Sequence, residues 1–313
     1  MRDRHRRLGL ALALSLGLAA IFPARSALAF CRTATCGKDG TGQMCTPPQP
    51  GDCGLPLFWA SPCVGYSIQQ DASQGVSLTT VRQIMKSSFA TWENASCAGG
   101  NPHILVTELA AASCAKHEYN QQKGNTNLIV FRDDKWPYEG SSNTLALTTV
   151  TYNLDTGEIY DADMGLNSAD NALTTSDAVV KFDLQSIITH EAGHFLGLAH
   201  SATPAATMFP DYKPESIDLR SLDQDDVNGI CTIYPADGPI SPTCDNTPRH
   251  GFSTLCGAEQ PEDDGAGCSC RIGDGPLPTS TAGIVAAMAA LGVVARRRSR
   301  ERRARLRVGA PCR

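Results

Sequence analysis

His190 and His194 stand four residues apart with Glu191 between them, in the run His190-Glu191-Ala192-Gly193-His194, and His200 follows six residues later. On a helix, residues four apart leave the same face about one turn from each other, so two imidazoles can reach one ion. Gly197 has the backbone freedom to end such a helix and turn the chain, which lets His200 swing back as a third ligand. Three neutral imidazoles at roughly 2.0–2.1 Å with an open fourth position are the donor set of a catalytic zinc. Glu191 lies beside them, within reach of a water on the metal. Zinc would lower that water's pKa towards ~7. Glu191 would take its proton as it attacks a carbonyl and deliver it to the leaving amine.

These side chains need a helix, a turn and a floor. Asp183 is a natural N-cap for a helix burying Leu184, Ile187, Ile188, Ala192 and Phe195. Ser77 caps an earlier helix whose stripe is Leu78, Val81, Met85, Phe89 and Trp92. A third helix is expected around Ser221–Tyr234. Strands are expected at Gly65–Ile68, Ile104–Leu109, Leu128–Phe131, Thr144–Tyr152 and Glu158–Met164. The last two flank the turn Asn153-Leu154-Asp155-Thr156-Gly157. There is no internal repeat, and the order predicts an α+β domain.

The histidine run and Met208, eight residues after His200 in Ala206-Thr207-Met208-Phe209-Pro210, resemble the metzincin zinc-protease signature with its Met-turn. The resemblance gives Met208 the role of an apolar floor under the ligands. His200-Ser201, Met208-Phe209-Pro210-Asp211-Tyr212 and the later Leu222-Asp223-Gln224-Asp225-Asp226-Val227-Asn228-Gly229-Ile230 with Tyr234 resemble the matrixin branch. That likeness covers roughly residues 56–236. It implies a metzincin-like catalytic domain: a twisted, mostly parallel sheet with an antiparallel edge strand and three helices. It also implies a cleft in which substrate lies antiparallel to an edge strand, here Thr144–Thr149, with Phe209 and Pro210 in a pocket wall. Matrixins of the vertebrate type hold a second, structural zinc through a loop with its own His and Asp. Here Arg132–Asn143 has no His, and Leu147 and Tyr160 stand where the resemblance implies His. One zinc is expected, with calcium possible through Asp155, Asp161 or Asp163.

The chain has 313 residues, 42% hydrophobic and 19% charged, with 13 Cys and a formal net charge of −5. That allows one good core with appendages and excludes a coiled coil or a polytopic membrane protein. The charge is partitioned. The tail from Arg296 has nine Arg and one Glu, and residues 1–29 have five Arg and one Asp, leaving net −17 between them. Nucleic acid is a poor partner for that acidic middle. Arg2, Arg4, Arg6 and Arg7, the apolar run Leu8–Phe22 and Ala27-Leu28-Ala29 read as a signal peptide over 1–29. A Cys-rich leader (30–63) precedes the protease domain (64–236), and a Cys-containing acidic linker (237–276) follows it. Then come a hydrophobic helix (277–295) and an Arg-rich cytoplasmic tail (296–313). The order Cys268-Ser269-Cys270, weak helix, Arg cluster resembles the C-terminal sorting signal of myxobacterial surface proteins.

Export to an oxidising compartment lets the Cys pair. Without Cys268, Cys270 and Cys312, ten remain, enough for five disulfides. Closeness along the chain suggests Cys97–Cys114 and Cys244–Cys256. Cys53, in Gly51-Asp52-Cys53-Gly54-Leu55-Pro56, has two readings. It is a disulfide partner, or a thiolate that blocks the zinc as in matrixin leaders, although the Arg of that leader motif is missing. His103, His117 and His250 are expected in loops or at the surface, and Trp59, Trp92 and Trp136 in the core or at its rim.

The sequence thus describes an exported zinc endopeptidase, monomeric, acting on protein or peptide substrates at a bacterial surface or after release. It touches the membrane at least transiently through its C-terminal helix. The rivals are a surface binding or adhesion protein that keeps zinc without turnover, and a zinc hydrolase of non-peptide amides.

Overall fold

The computed structural model describes residues 29–36, 42–138 and 144–256, and the backbone of 303–308. Residues 1–28 of the signal peptide, the second half of the acidic linker (257–276), the C-terminal helix and loop residues 139–143 lie outside the described residues, as do Cys268, Cys270 and Cys312. Among the described residues no helix is long and apolar enough to cross a membrane.

The elements are β1 (Cys31–Thr33), β2 (Gln43–Cys45), β3 (Cys63–Ile68), α1 (Leu78–Glu93), β4 (Leu105–Glu108), β5 (Leu128–Phe131), β6 (Ala146–Asn153), β7 (Ile159–Leu166), β8 (Leu173–Thr174), β9 (Phe182–Asp183), α2 (Leu184–Phe195), β10 (Leu198–Ala199), α3 (Gln224–Ile233) and β11 (Arg303–Val308). Six strands form the main sheet in the order β11-β6-β7-β5-β3-β4. β4, β3, β5 and β7 run parallel, and β6 turns back antiparallel along β7. The mixed sheet, its antiparallel strand and the three helices agree with the expected class. β11 pairs antiparallel with the outer side of β6, from Thr148 opposite Val308 to Asn153 opposite Arg303, a pairing that the same residues could not make from the cytoplasmic side of a membrane.

Capping decides where the helices begin. Ser77 Oγ accepts the Thr80 N–H at 3.2 Å, and Asp183 Oδ2 accepts the Ser186 N–H at 2.8 Å. Asp223 and Asp226 form a reciprocal capping box at α3. Helix α1 lays Val81, Met85, Phe89 and Trp92 against α2 and the sheet, with Phe89 edge-on to Phe195 at 5.2 Å. Helix α2 is buried along almost its whole length, so its polar residues sit inside the protein. Trp92 Nε1–H donates to Thr189 O and Trp59 Nε1–H to Phe195 O, both at 2.8 Å, anchoring α2 through its carbonyls.

Five disulfides hold the described chain: Cys31–Cys45, Cys36–Cys53, Cys63–Cys244, Cys97–Cys231 and Cys114–Cys256. All ten cysteines pair, but the two pairings suggested by chain proximity are wrong. Cys97 leaves the end of α1 for α3, and Cys244 and Cys256 bond separately to Cys63 and Cys114. Cys53 is bonded to Cys36, so it carries no free thiol to the metal site. Residues after Pro235 run back over the domain, where Phe252 bridges Asn125 and Cys256 joins a second apolar cluster with Ala112, Leu128 and Val130. The leader is also part of the fold: β1 pairs with β10, immediately before His200.

Candidate metal centre

Helix α2 delivers His190, Glu191 and His194 into the interior, and Gly197 then turns the chain. Its φ is +98°, and a Cβ there would stand 2.8 Å from Leu57 O, so this turn needs glycine. Strand β10 follows, clamped by the leader: Thr33 N–H donates to Gly197 O at 2.9 Å and Thr33 Oγ1 to Leu198 O at 3.1 Å. His200 then closes on the first two histidines.

The ring nitrogens converge. His200 Nε2 lies 3.3 Å from His190 Nε2 and 3.2 Å from His194 Nε2. A tetrahedral ion with bonds of roughly 2.0–2.1 Å sets neighbouring ligand atoms about 3.3–3.4 Å apart, so this spacing suits zinc. The outer nitrogens determine which lone pairs face inward. His190 Nδ1 is 2.6 Å from Thr207 O and His194 Nδ1 is 2.9 Å from Leu198 O. A carbonyl can only accept, so both Nδ1 atoms carry hydrogen and both Nε2 lone pairs point to the centre. Burial lowers the pKa of His190 to about 3 and of His200 to about 4, and holds His194 well below its ordinary value. The inward lone pairs of His190 and His194 repel one another unless a cation lies between them, and His200 Nε2 meets them at the same point. Among the described residues this is the one group of three or more His, Cys, Asp or Glu side chains whose ligand atoms converge, all within 4.8 Å.

Glu191 is 2% exposed and leans to β6, where Thr148 Oγ1 is 2.6 Å from its Oε2. Burial raises its pKa to about 7, against the hydrogen bonds from Thr148. Met208 is buried beneath the ligands: a Cβ on Gly193 would overlap Met208 Sδ and come within 2.9 Å of Trp92 Cζ2. Helix α3 suspends the Met208 turn. Asp226 accepts the Thr207 N–H at 2.7 Å and the Met208 N–H at 3.0 Å. Asp225 accepts Ser201 Oγ–H at 2.5 Å and the Ala29 N–H at 2.7 Å. Phe209 and Pro210 follow at the half-buried rim.

The site residues named from sequence are therefore brought together, from His190, Glu191 and His194 through His200 to Met208. Thr33, Thr148 and Thr207 contribute contacts that no motif announces. The paired Asp225-Asp226 stood out in sequence, but not as the hanger of the Met208 turn. Calcium through Asp155, Asp161 or Asp163 is not shown. Asp163 Oδ1 accepts the Leu128 N–H at 2.8 Å, and Asp155 donates its own N–H to Asn153 Oδ1. Tyr160 stacks on Tyr119 at 5.9 Å beneath the Arg249 guanidinium, and Leu147 is buried. His103 and His250 bond to Gly238 O and Tyr119 Oη from loops, while His117 packs inward against Tyr138.

Comparison with known proteins places these features in a family. The Matrixin family model matches residues 58–235, more than half of the chain. The chain is 28% identical over 232 residues to neutrophil collagenase of Homo sapiens, covering 72% of this chain and 43% of that protein. It is 37% identical over 135 residues to interstitial collagenase A of Mus musculus, covering 41% and 27%. It is 34% identical over 105 residues to metalloendoproteinase 1-MMP of Arabidopsis thaliana, covering 32% and 26%. The chain thus spans less than half the length of each of these relatives.

Proposed function

Because the chain belongs to the matrixin family, we propose that it is an exported zinc-dependent endopeptidase in which Glu191 is the general base. The observation that carries this reading is the convergence of three buried, neutral imidazoles beside a carboxylate on the next residue of the same helix. His190, His194 and His200 would hold the zinc. When bound, it would acidify a water and polarise the scissile carbonyl. The Glu191 carboxylate, held by the hydroxyl and the backbone N–H of Thr148, would accept a proton from the attacking water and return it to the departing amine. The buried walls around α2 keep that carboxylate away from bulk solvent. Of the stretch Thr144–Thr149 expected to seat an extended peptide, β11 pairs with Thr148 and Thr149, so substrate would pair along residues 144–147 at and just before the start of β6. Phe209 and Pro210 would border the side-chain pocket. Five disulfides match folding in an oxidising compartment. The signal peptide and the C-terminal helix would deliver the protein to the cell surface.

The test compares wild type with Glu191→Gln, both folded under oxidising conditions. We expect one zinc per chain in each by elemental analysis. Chelator-sensitive cleavage of casein and of a mixed peptide library should fall by about 10²–10⁴-fold in the variant. Zinc retained with no cleavage by wild type would instead support the non-catalytic binding protein.

A further inference from the structure

Among the strand residues that face α2, one breaks the apolar pattern. Residues two apart on a strand share a face, so Ala146, Thr148, Val150 and Tyr152 line the same side of β6, and all four are fully or almost fully buried. Thr148 alone among them brings an aliphatic hydroxyl. A hydroxyl in such a place needs a partner, and it has one: Thr148 Oγ1 lies 2.6 Å from Glu191 Oε2 and 3.3 Å from Glu191 O. A carboxylate can only accept, so the hydroxyl donates. Its single proton goes to the closer and charged acceptor. The contact spans 43 residues of sequence and ties β6 to the helix that presents the histidines.

We propose that Thr148 is a positioning residue for the reaction: its hydroxyl holds Glu191 by Oε2, beside the Thr148 backbone N–H that also bonds this side chain, and so fixes the direction in which the carboxylate is presented for proton transfer. The proposal rests on the endopeptidase reading above. Two carboxylate oxygens that exchange places by rotation offer a proton acceptor of variable direction. Pinning one of them confines the other to a single direction, which is where orientation contributes to rate. Because Thr148 also belongs to the strand along which substrate would lie, a peptide seated on that strand meets a base held by the same strand. The hydroxyl's contacts are both to Glu191, so its removal should change turnover rather than binding.

The test uses the zinc-loaded full chain as wild type, Thr148→Val, Thr148→Ser and Glu191→Gln. Valine keeps the branched shape and removes only the hydroxyl. Serine keeps the hydroxyl and removes a methyl. With zinc content equal, kcat on one defined peptide should fall about tenfold or more in Thr148→Val, with KM changed by less than about twofold. Thr148→Ser should recover most of the loss. A valine variant with wild-type kcat, a loss confined to KM, or a serine variant as slow as valine each overturns the proposal. If wild type and Glu191→Gln are equally inactive, the endopeptidase reading fails. Crystal structures of wild type and Thr148→Val then decide the pinning itself. A Glu191 carboxylate that leaves its position in the valine variant supports it, and one that stays in place refutes it.

Discussion

Burial makes the histidines useful as ligands, because an imidazole held away from water gives up its proton and keeps its lone pair. The same physics acts at His117, far along the sequence from the metal centre. Its ring lies against Tyr138, with Nδ1 2.8 Å from Tyr138 Oη, and burial, with Arg132 adding to it, lowers its pKa to about 3. An unfolded histidine titrates near 6.5, so the unfolded chain binds the extra proton first. The stability His117 contributes is complete above about pH 6.5 and declines as pH falls. It is gone near the folded value of about 3. Replacing His117 by Gln should remove one proton's worth of slope, about 1.4 kcal/mol per pH unit between about pH 4 and 6. Urea denaturation of both proteins across that range checks this, and parallel slopes would contradict it. At this scale the convergence of His190, His194 and His200, with Glu191 beside them, was legible from spacing alone. Thr148 and His117 were not, because a hydroxyl or a lone imidazole has no period, and only the fold says what it meets.

Helix α2 and the turn after it form one device. The helix sets two ligands by its own pitch, and the third depends on how the chain leaves it at Gly197. Gly197→Ala puts a side chain into a left-handed backbone conformation and against the Leu57 carbonyl. The expected cost is about 1–3 kcal/mol, seen as a lowered Tm. Zinc affinity should fall with it, because His200 is displaced. Competition with a fluorescent chelator measures that affinity, and an unchanged value would show that the turn is not what places His200. The helix boundaries were readable because capping residues mark them: Asp183 and Ser77 start α2 and α1 where their chemistry predicts. The leader's pairing with β10 was not readable. Three residues of strand carry too little pattern to reveal a partner more than 160 positions away.

At the scale of the molecule, covalent closure does what the modest leader and the C-terminal run cannot do by packing alone. Cys63–Cys244 closes a loop of 181 residues, and Cys97–Cys231 and Cys114–Cys256 close loops of 134 and 142. Chain proximity misassigned these partners, since a disulfide joins what is near in space, and α1 ends beside α3 rather than beside Cys114. Removing the Cys63–Cys244 bond as the double alanine variant should lower stability by about 4–5 kcal/mol on the loop-entropy scale. Equilibrium denaturation with the other bonds intact measures it, and a loss under about 1 kcal/mol would show that the bond is incidental.

That one long closure also bears on wear. On the endopeptidase proposal, each molecule would share its surroundings with copies able to cut it, and its surface turns would be bait. Between Cys63 and Cys244, a single nick leaves both pieces bridged and still packed on one core. Damaged molecules would run at full size on a gel until reductant is added, and then fall into fragments. Ageing of the population would show as slow erosion of activity in particles of unchanged mass.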